Sequence, residues 1–335
     1  MIKSCRLIAK HAMAKRMFAA LALGGCAIFL GLASPVAAQD YPTKPIKLIV
    51  PFAPGGGNDT IARTLGQRLS QALGQPVVID NRPGAGGKLG VEIGVRSAPD
   101  GYTLTLISNS YAVNPSLYSL PFDPINDITP IGMIASGPFL VAVNPSLPVK
   151  TLGDLVALAK KKPGELTYAS SGLGGISHLA TELFLHTTGT DMIHVPYKGS
   201  APALTDTVSG QVDIFFSTAG AALPYVQTNR LRVLAETLPN RIEVAPTIAT
   251  VKEQGIPYEV IVWYGLIGPK GIPVEVRDRL NKEMNIAMQD PDIKNLLRKN
   301  GESPVSGTSD MFLKQIKDEM AVWSKVVKQS SIKVE

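Results

Sequence analysis

Two glycine-rich segments hold the residues best suited to chemistry, and each lies between a strand-like apolar run and a helix-like one. Pro51-Phe-Ala-Pro-Gly-Gly-Gly-Asn-Asp59 follows Ile46-Lys-Leu-Ile-Val50, and Ser170-Ser-Gly-Leu-Gly-Gly-Ile-Ser-His178 follows Leu166-Thr-Tyr-Ala169. Glycine lets backbone N–H groups approach a ligand closely, and a helix start adds unpaired N–H donors and the positive end of a dipole. Such a loop favours an anion. The second loop is the richer one, because Ser170, Ser171 and Ser177 add hydroxyls to the amides of Gly172 to Ile176. That set can hold a carboxylate without arginine. Neither loop contains Arg or Lys, so amides, hydroxyls and bound water are expected to do the work of a guanidinium clamp. The plainer alternative is that the glycines only turn the chain and the serines only cap a helix.

Other chemistries fit poorly. Gly84-Ala-Gly86-Gly-Lys-Leu89 lacks the third small residue of a dinucleotide loop, and Leu89 stands where a phosphate-binding loop needs Ser or Thr. His178, Glu182 and His186 recur every four residues on one expected helix, with His194 on a different strand. Three groups spread over two turns reach one metal ion badly, so a polar stripe with His178 closing the loop is the reading taken. No Gly-x-Ser-x-Gly elbow and no compact His/Asp/Ser set occurs. The chain is therefore not expected to be an enzyme or to carry a cofactor or metal. Tyr197, in the turn Val195-Pro-Tyr-Lys-Gly199, would line a cleft beside the second loop or stand exposed.

The elements that must position these loops alternate through most of the chain. Ile46 to Val50, a helix carrying Ile61, Leu65 and Leu69, Val77 to Asp80, a helix from about Gly87 to Arg96, and Tyr102 to Ile107 make a βαβαβ opening. The apolar stretch Ile131 to Val143, broken at Gly137-Pro138, reads as two strands passing between lobes. A second alternation follows: helices at Leu152 to Lys161, Gly174 to Thr187, Ala201 to Ser209 and Ala219 to Gln227, with strands at Thr167 to Ala169, Met192 to Val195, Val212 to Phe216 and Leu231 to Ala235. Tyr258 to Ile267 reads as a long returning strand. Three helical patterns finish the chain, the last with Phe312, Ile316, Met320, Trp323 and Val327 on one face. The expected lobes are 39–141 with 262–335, and 142–261.

Before the first strand, Lys3, Arg6, Lys10, Lys15 and Arg16 precede the apolar stretch Met17 to Leu32, which ends in Ser34-Pro-Val-Ala-Ala38. This is the pattern of a secretion signal cleaved near Ala38. A membrane anchor and lipidation at Cys26 are the rival readings. Removing the leader lowers the 33 basic residues to 28 against 27 acidic ones, so the charge gives no reason to expect a nucleic-acid partner. Cys5 and Cys26 leave with it.

As an ordered set, several segments resemble the substrate-binding component of tripartite tricarboxylate transporters, the Bug receptors. They are Tyr41-Pro-Thr-Lys-Pro-Ile, Val50-Pro-Phe-Ala-Pro-Gly-Gly-Gly-Asn-Asp, Val78-Ile-Asp-Asn-Arg-Pro-Gly-Ala-Gly-Gly, Pro99-Asp-Gly-Tyr-Thr-Leu, Tyr168-Ala-Ser-Ser-Gly-Leu-Gly-Gly-Ile-Ser-His-Leu, His194-Val-Pro-Tyr-Lys-Gly, Gly210-Gln-Val-Asp and Trp263-Tyr-Gly-Leu. The resemblance implies an α/β type II periplasmic-binding-protein fold, two Rossmann-like lobes closing on a small organic acid. It implies a periplasmic, monomeric receptor that delivers its ligand to membrane transporter subunits. A ligand-sensing module for a signalling partner, or a hydrolase in the same cleft, is the alternative. Carried over by position, the contacts fall at Phe52, Gly55, Gly56, Gly57, Asn58, Ser108, Asn109, Ser170, Ser171, Gly172, Gly174, Gly175, Ile176, His178 and Tyr197. Many relatives have Thr or Ser where this chain has Asn58, so ligand preference can differ there.

Overall fold

The computed structural model describes residues 41–330; the leader and its cleavage site lie outside them. From Lys44 onward the described chain forms one contact unit. It opens with β1 (Ile46–Val50), α1 (Gly57–Leu73), β2 (Val77–Asn81), α2 (Lys88–Val95), β3 (Thr103–Ser108) and α3 (Asn109–Leu117). A single 3₁₀ turn at Ala85–Gly87 precedes α2. Helix α1 buries Ile61, Leu65, Leu69 and Leu73, one per turn, and stops at Gly74 in the left-handed region. Each such leucine removed from water is worth about 1.5–3 kcal/mol, so this stripe fixes the helix against the sheet. β1 lies between β2 and β3, parallel to both.

The chain continues through β4 (Ile128–Val143), α4 (Leu152–Lys161), β5 (Thr167–Ser170), α5 (Ile176–Thr188), β6 (Ile193–Pro196), α6 (Ser200–Ser209), β7 (Ile214–Thr218), α7 (Ala219–Gln227) and β8 (Arg232–Glu236). It closes with β9 (Ile261–Pro269), α8 (Val274–Gln289), α9 (Pro291–Lys299), β10 (Ser303–Pro304) and α10 (Ser309–Ser330). The strand order is β2-β1-β3-β9-β4-β7-β5-β6, with β8 and β10 also pairing to β4. β5 is parallel to β6 and β7, whereas β9 and β4 run antiparallel to their neighbours. The sheet is therefore mixed, not purely parallel as the βαβαβ opening suggested.

Where two strands were expected between Ile131 and Val143, there is one. β4 keeps its direction through Gly137-Pro138 and changes partners there: Ile128 to Pro138 pair with β9, and Phe139 to Val143 pair with β7. Thr237 pins this crossing, its hydroxyl accepting from the Phe139 N–H at 2.9 Å and donating to the Val260 carbonyl at 2.6 Å. Two cores flank it. One holds Leu48, Ile61, Leu65 and Leu106; the other centres on Leu140, Ala169, Leu204 and Phe215. In α10 the expected stripe buries Phe312, Ile316, Trp323 and Val327, with Met320 half-buried.

Candidate functional site

Both glycine-rich loops leave the carboxyl ends of strands, β1 for the first and β5 for the second, and both open directly into a helix. The first is folded back on its own helix by Asp59. This buried carboxylate accepts from the Gly55 N–H at 2.9 Å, from Asn81 Nδ2 at 3.0 Å, and from Arg63 Nε at 2.9 Å. Burial pushes the Asp59 carboxyl up, but the hydrogen bonds from Arg63, Gly55 and Asn81 outweigh it and hold the group below its usual range. Asn81 also donates to the Phe52 carbonyl, so the β2 end steadies the loop.

The second loop uses its hydroxyls on itself. Ser171 and Ser177 hydroxyls lie 2.9 Å apart, and Ser177 also accepts from the Ser171 N–H. Ser170 Oγ takes the Gly172 N–H at 3.2 Å and meets His194 Nε2 at 2.6 Å. His178 Nδ1 accepts from the Gly174 N–H at 3.2 Å, which requires a neutral ring with its proton on Nε2. His178 and His194 stack with ring centres 3.9 Å apart, and Tyr168 stacks on His194 at 4.9 Å. Burial pulls the His178 pKa down to about 3, helped by His194, and burial pulls His194 down to about 4. These serines and histidines fix the loop's shape and take up its backbone amides: those of Ser171, Gly172 and Gly174 donate to them, and that of Gly175 donates to the Gly172 carbonyl.

The first loop packs on the turn before α6, and the second on α3 and the Gly86 turn, so that both border one seam. The Ala53 N–H donates to the Lys198 carbonyl at 3.2 Å, the Ile176 N–H to Ser110 Oγ at 2.9 Å, and the Tyr118 hydroxyl to the Leu173 carbonyl at 2.8 Å. A side chain added at Gly86, whose φ is +58°, would stand 2.8 Å from the Leu173 carbonyl; one at Gly56 would stand 3.2 Å from Ser200 Cβ. One at Gly57 would press on the hydroxyls of Tyr264 and Thr218. Only glycine permits these approaches. Beside the seam, Phe52, Gly86, Gly87, Ser108, Ser110 and Asn114 enclose a cavity of about 10 Å³, roughly the space of one water molecule.

Of the residues expected from the sequence, Phe52, Gly55, Gly56, Gly57, Gly172, Gly174, Gly175 and Ile176 border this seam or its cavity. Ser108 faces the cavity with its hydroxyl unpaired, and Asn58 Oδ1 is also buried without a partner. Three others are engaged elsewhere. Asn109 is a clip, accepting from the Trp263 N–H at 2.8 Å and donating to the Ile261 carbonyl at 3.0 Å. Tyr197 turns its hydroxyl to Asp206 at 2.6 Å, and only its backbone approaches Gly172. His178 supports the loop from behind. Residues that sequence reasoning missed are Ser110, Tyr118, Gly86, Ser200, Thr218 and Tyr264. Thr218 had a signal, since Ile214–Thr218 is one more strand running straight into a helix. Tyr118 had none. Among the described residues no group of three His, Cys, Asp or Glu stands close enough to hold a metal.

Two α/β halves with glycine turns face to face at strand ends define a ligand-binding class, and the chain's relatives agree. A model of the tripartite tricarboxylate transporter family receptor matches residues 61–332, and the chain belongs to that family. It is similar to protein BugT of Bordetella pertussis, 38% identical over 91% of this chain and 94% of that protein. An R. palustris protein solved with adipate is 35% identical over 88% of this chain and 99% of that one, with a TM-score of 0.85. MatC from Rhodopseudomonas palustris, solved with bound malate, is 28% identical over 86% and 100%, with a TM-score of 0.82. The fold is that of the periplasmic binding proteins of this family.

Proposed function

We propose that this chain is an extracytoplasmic receptor that takes a small carboxylate between its two glycine-rich loops and delivers it to membrane transporter subunits of the tripartite tricarboxylate type. The observation that carries this is the convergence of helix starts. Helices α1, α3, α5, α6 and α7 all begin with no side-chain cap. Contacts at the seam join α1 to α6 and α7, and α3 to α5. Each uncapped start presents N–H donors and a partial positive charge, and no arginine or lysine lies in either loop. Such a set suits one anion of modest size. The likeness to relatives solved with adipate and malate supports a carboxylate as that anion.

The lobes follow as 39–141 with 262–335, and 142–261, the chain crossing where β4 changes partners. Opening at this crossing would part the hydrogen bonds of Ala53, Ile176 and Tyr118; a ligand bridging the loops favours the closed form. A secretion leader cleaved near Ala38 would put the receptor in the periplasm. The test is thermal shift of the chain from Gln39 onward against aliphatic and aromatic carboxylates and their amides. Stabilisation by an acid and not by its amide is the expected result. Equal response to both, or to neither, overturns the carboxylate reading.

A further inference from the structure

The turn that joins α9 to β10 is caught between the two proposed lobes. A side chain added at Gly301, in that turn, would stand 2.8 Å from Ala219 Cβ at the start of α7 and 3.1 Å from Ile242 Cδ1; one at Gly220 would stand 3.1 Å from Asn300 Cβ. The turn also lies against β4. A Cβ at Gly137 would meet Glu302 Cγ at 3.1 Å, next to Pro138, the last residue of β4 that pairs with β9. Glu302 thus sits where the strand crosses and the 142–261 lobe packs on the other. It is 5% exposed, and its Oε2 has no hydrogen-bond partner. A buried carboxylate needs a partner to keep its charge, and no ion pair reaches this one among the described residues. Arg298 of α9 lines the same cleft of about 470 Å³ with Arg241 and Glu243, but Arg241 is committed to Glu253 at 2.8 Å. Tyr264 of β9 is close enough to feel the Glu302 charge, and burial keeps that phenol neutral as well. Gly137, Ala219 and Gly220 bring no charge.

We propose that Glu302 is a proton-operated latch on the closed form: the neutral acid seats between the two lobes, and loss of its proton drives them apart. The inference rests on the two-lobed receptor reading above and goes beyond it, from what the cleft holds to when it opens. Parting the lobes would strip Ala219 and Ile242 from the turn and let water reach the carboxyl, which would then titrate near its ordinary value of 4.5. In the closed form burial pushes the pKa up to about 8. The closed form therefore holds a proton that the open form releases, and between those values each unit rise in pH multiplies the open-to-closed ratio by up to about ten. Mild acid closes the cleft and mild alkali opens it. Glu236 is also a buried acid with an unpartnered oxygen, its Oε1 accepting from the Ile242 N–H at 2.8 Å. Both of those residues belong to the 142–261 lobe, so opening does not uncover that contact.

The test is small-angle scattering of the unliganded chain from Gln39 onward at pH 5.5, 7 and 8.5. Glu302→Gln keeps the shape and cannot ionise, Glu302→Asp keeps a titrating carboxyl, and Glu236→Gln removes the other buried acid; thermal melts check that each folds, and Glu302→Met, apolar and of similar length, serves where the amide does not. The expected result is a radius of gyration that grows with pH in the parent, in Glu302→Asp and in Glu236→Gln, and that stays at its compact value up to pH 8.5 in Glu302→Gln or Glu302→Met. A parent radius that does not change over this range overturns the latch. So does a variant without the carboxyl that opens as the parent does, or a response that disappears in Glu236→Gln. The readout needs no ligand, so a chain that binds a carboxylate but does not open with pH sinks the latch alone, and one that opens with pH but binds no acid sinks the receptor reading alone.

Discussion

At Glu302 a buried carboxyl makes the fold less stable as pH rises towards 8, and Glu236, which burial pushes up to about 7, acts in the same direction. Glu302 is 5% exposed, Oε2 has no partner, and burial raises its pKa to about 8. The unfolded chain releases this proton near 4.5, so the native state holds more protons and stability falls as pH rises between those values. Glu302→Gln is expected to raise the melting temperature at pH 8, a gain on the order of 2 kcal/mol, and to lessen the loss of stability between pH 5 and pH 8. A calorimetric melt at pH 5 and pH 8 checks it; an unchanged difference between the two pH values refutes it. The histidine pair sets the acid limit with the opposite sign. His178 and His194 have pKa values depressed to about 3 and about 4, so their contribution is complete above about 6.5 and is lost as pH falls towards 4 and then 3. Glu182, 4.0 Å from His178 and hydrogen-bonded to Tyr168, is the acid that faces the pair. His194→Gln is expected to shallow the fall in melting temperature between pH 6.5 and pH 4. An acid slope as steep as the parent's would mean that other groups drive it. None of these burials could be read in the sequence, where Glu302 sits in an ordinary polar stretch and His178 and His194 are sixteen positions apart.

At the scale of elements, the seam is built from glycines that permit backbone contact. Gly86 shows the cost of changing one: its φ of +58° disfavours any side chain, and a Cβ would meet the second loop at 2.8–3.0 Å. Gly86→Ala is expected to cost about 1 kcal/mol of stability and at least tenfold in carboxylate affinity, because it wedges the loops apart. Affinity equal to the parent's would show that closure tolerates a wider seam. The bounds expected for α4 and α7 match those found, the Ile61, Leu65 and Leu69 stripe marked α1 without fixing its ends, and the glycine loops revealed where strands hand over to helices. Helix α3 was not readable. Asn109-Ser-Tyr-Ala-Val-Asn-Pro-Ser-Leu117 carries an internal proline and no clear apolar stripe, and its shape is imposed by packing against α10, β3 and their neighbours. Gly137-Pro138 misled in the other direction. A proline normally interrupts a ladder, but here it falls where β4 exchanges partners, so the strand passes through intact.

For the molecule as a whole, the seam is closed by contacts the protein makes with itself. Removing the Tyr118 hydroxyl and the Ser110 hydroxyl together leaves Leu173 and Ile176 without their partners across it. Tyr118→Phe with Ser110→Ala is expected to enlarge the unliganded radius of gyration in small-angle scattering, and saturating ligand is expected to restore the compact value. Identical scattering curves for parent and variant would assign closure to other contacts. Ligand identity was not legible in the sequence, since the helix starts that border the seam meet only after folding.

The clasp that Asp59 places on the first loop has a thermodynamic consequence. Arg63, Asn81 and the Gly55 amide give up their freedom when the chain folds, so the loop is ordered before any ligand arrives, and on the proposed receptor reading an acid would not have to order it. Loosening the clasp would therefore charge a torsional entropy cost to every ligand alike, whatever its chemistry. With the clasp intact, acids competing for the proposed site would enter at similar rates and be sorted by how long each one stays.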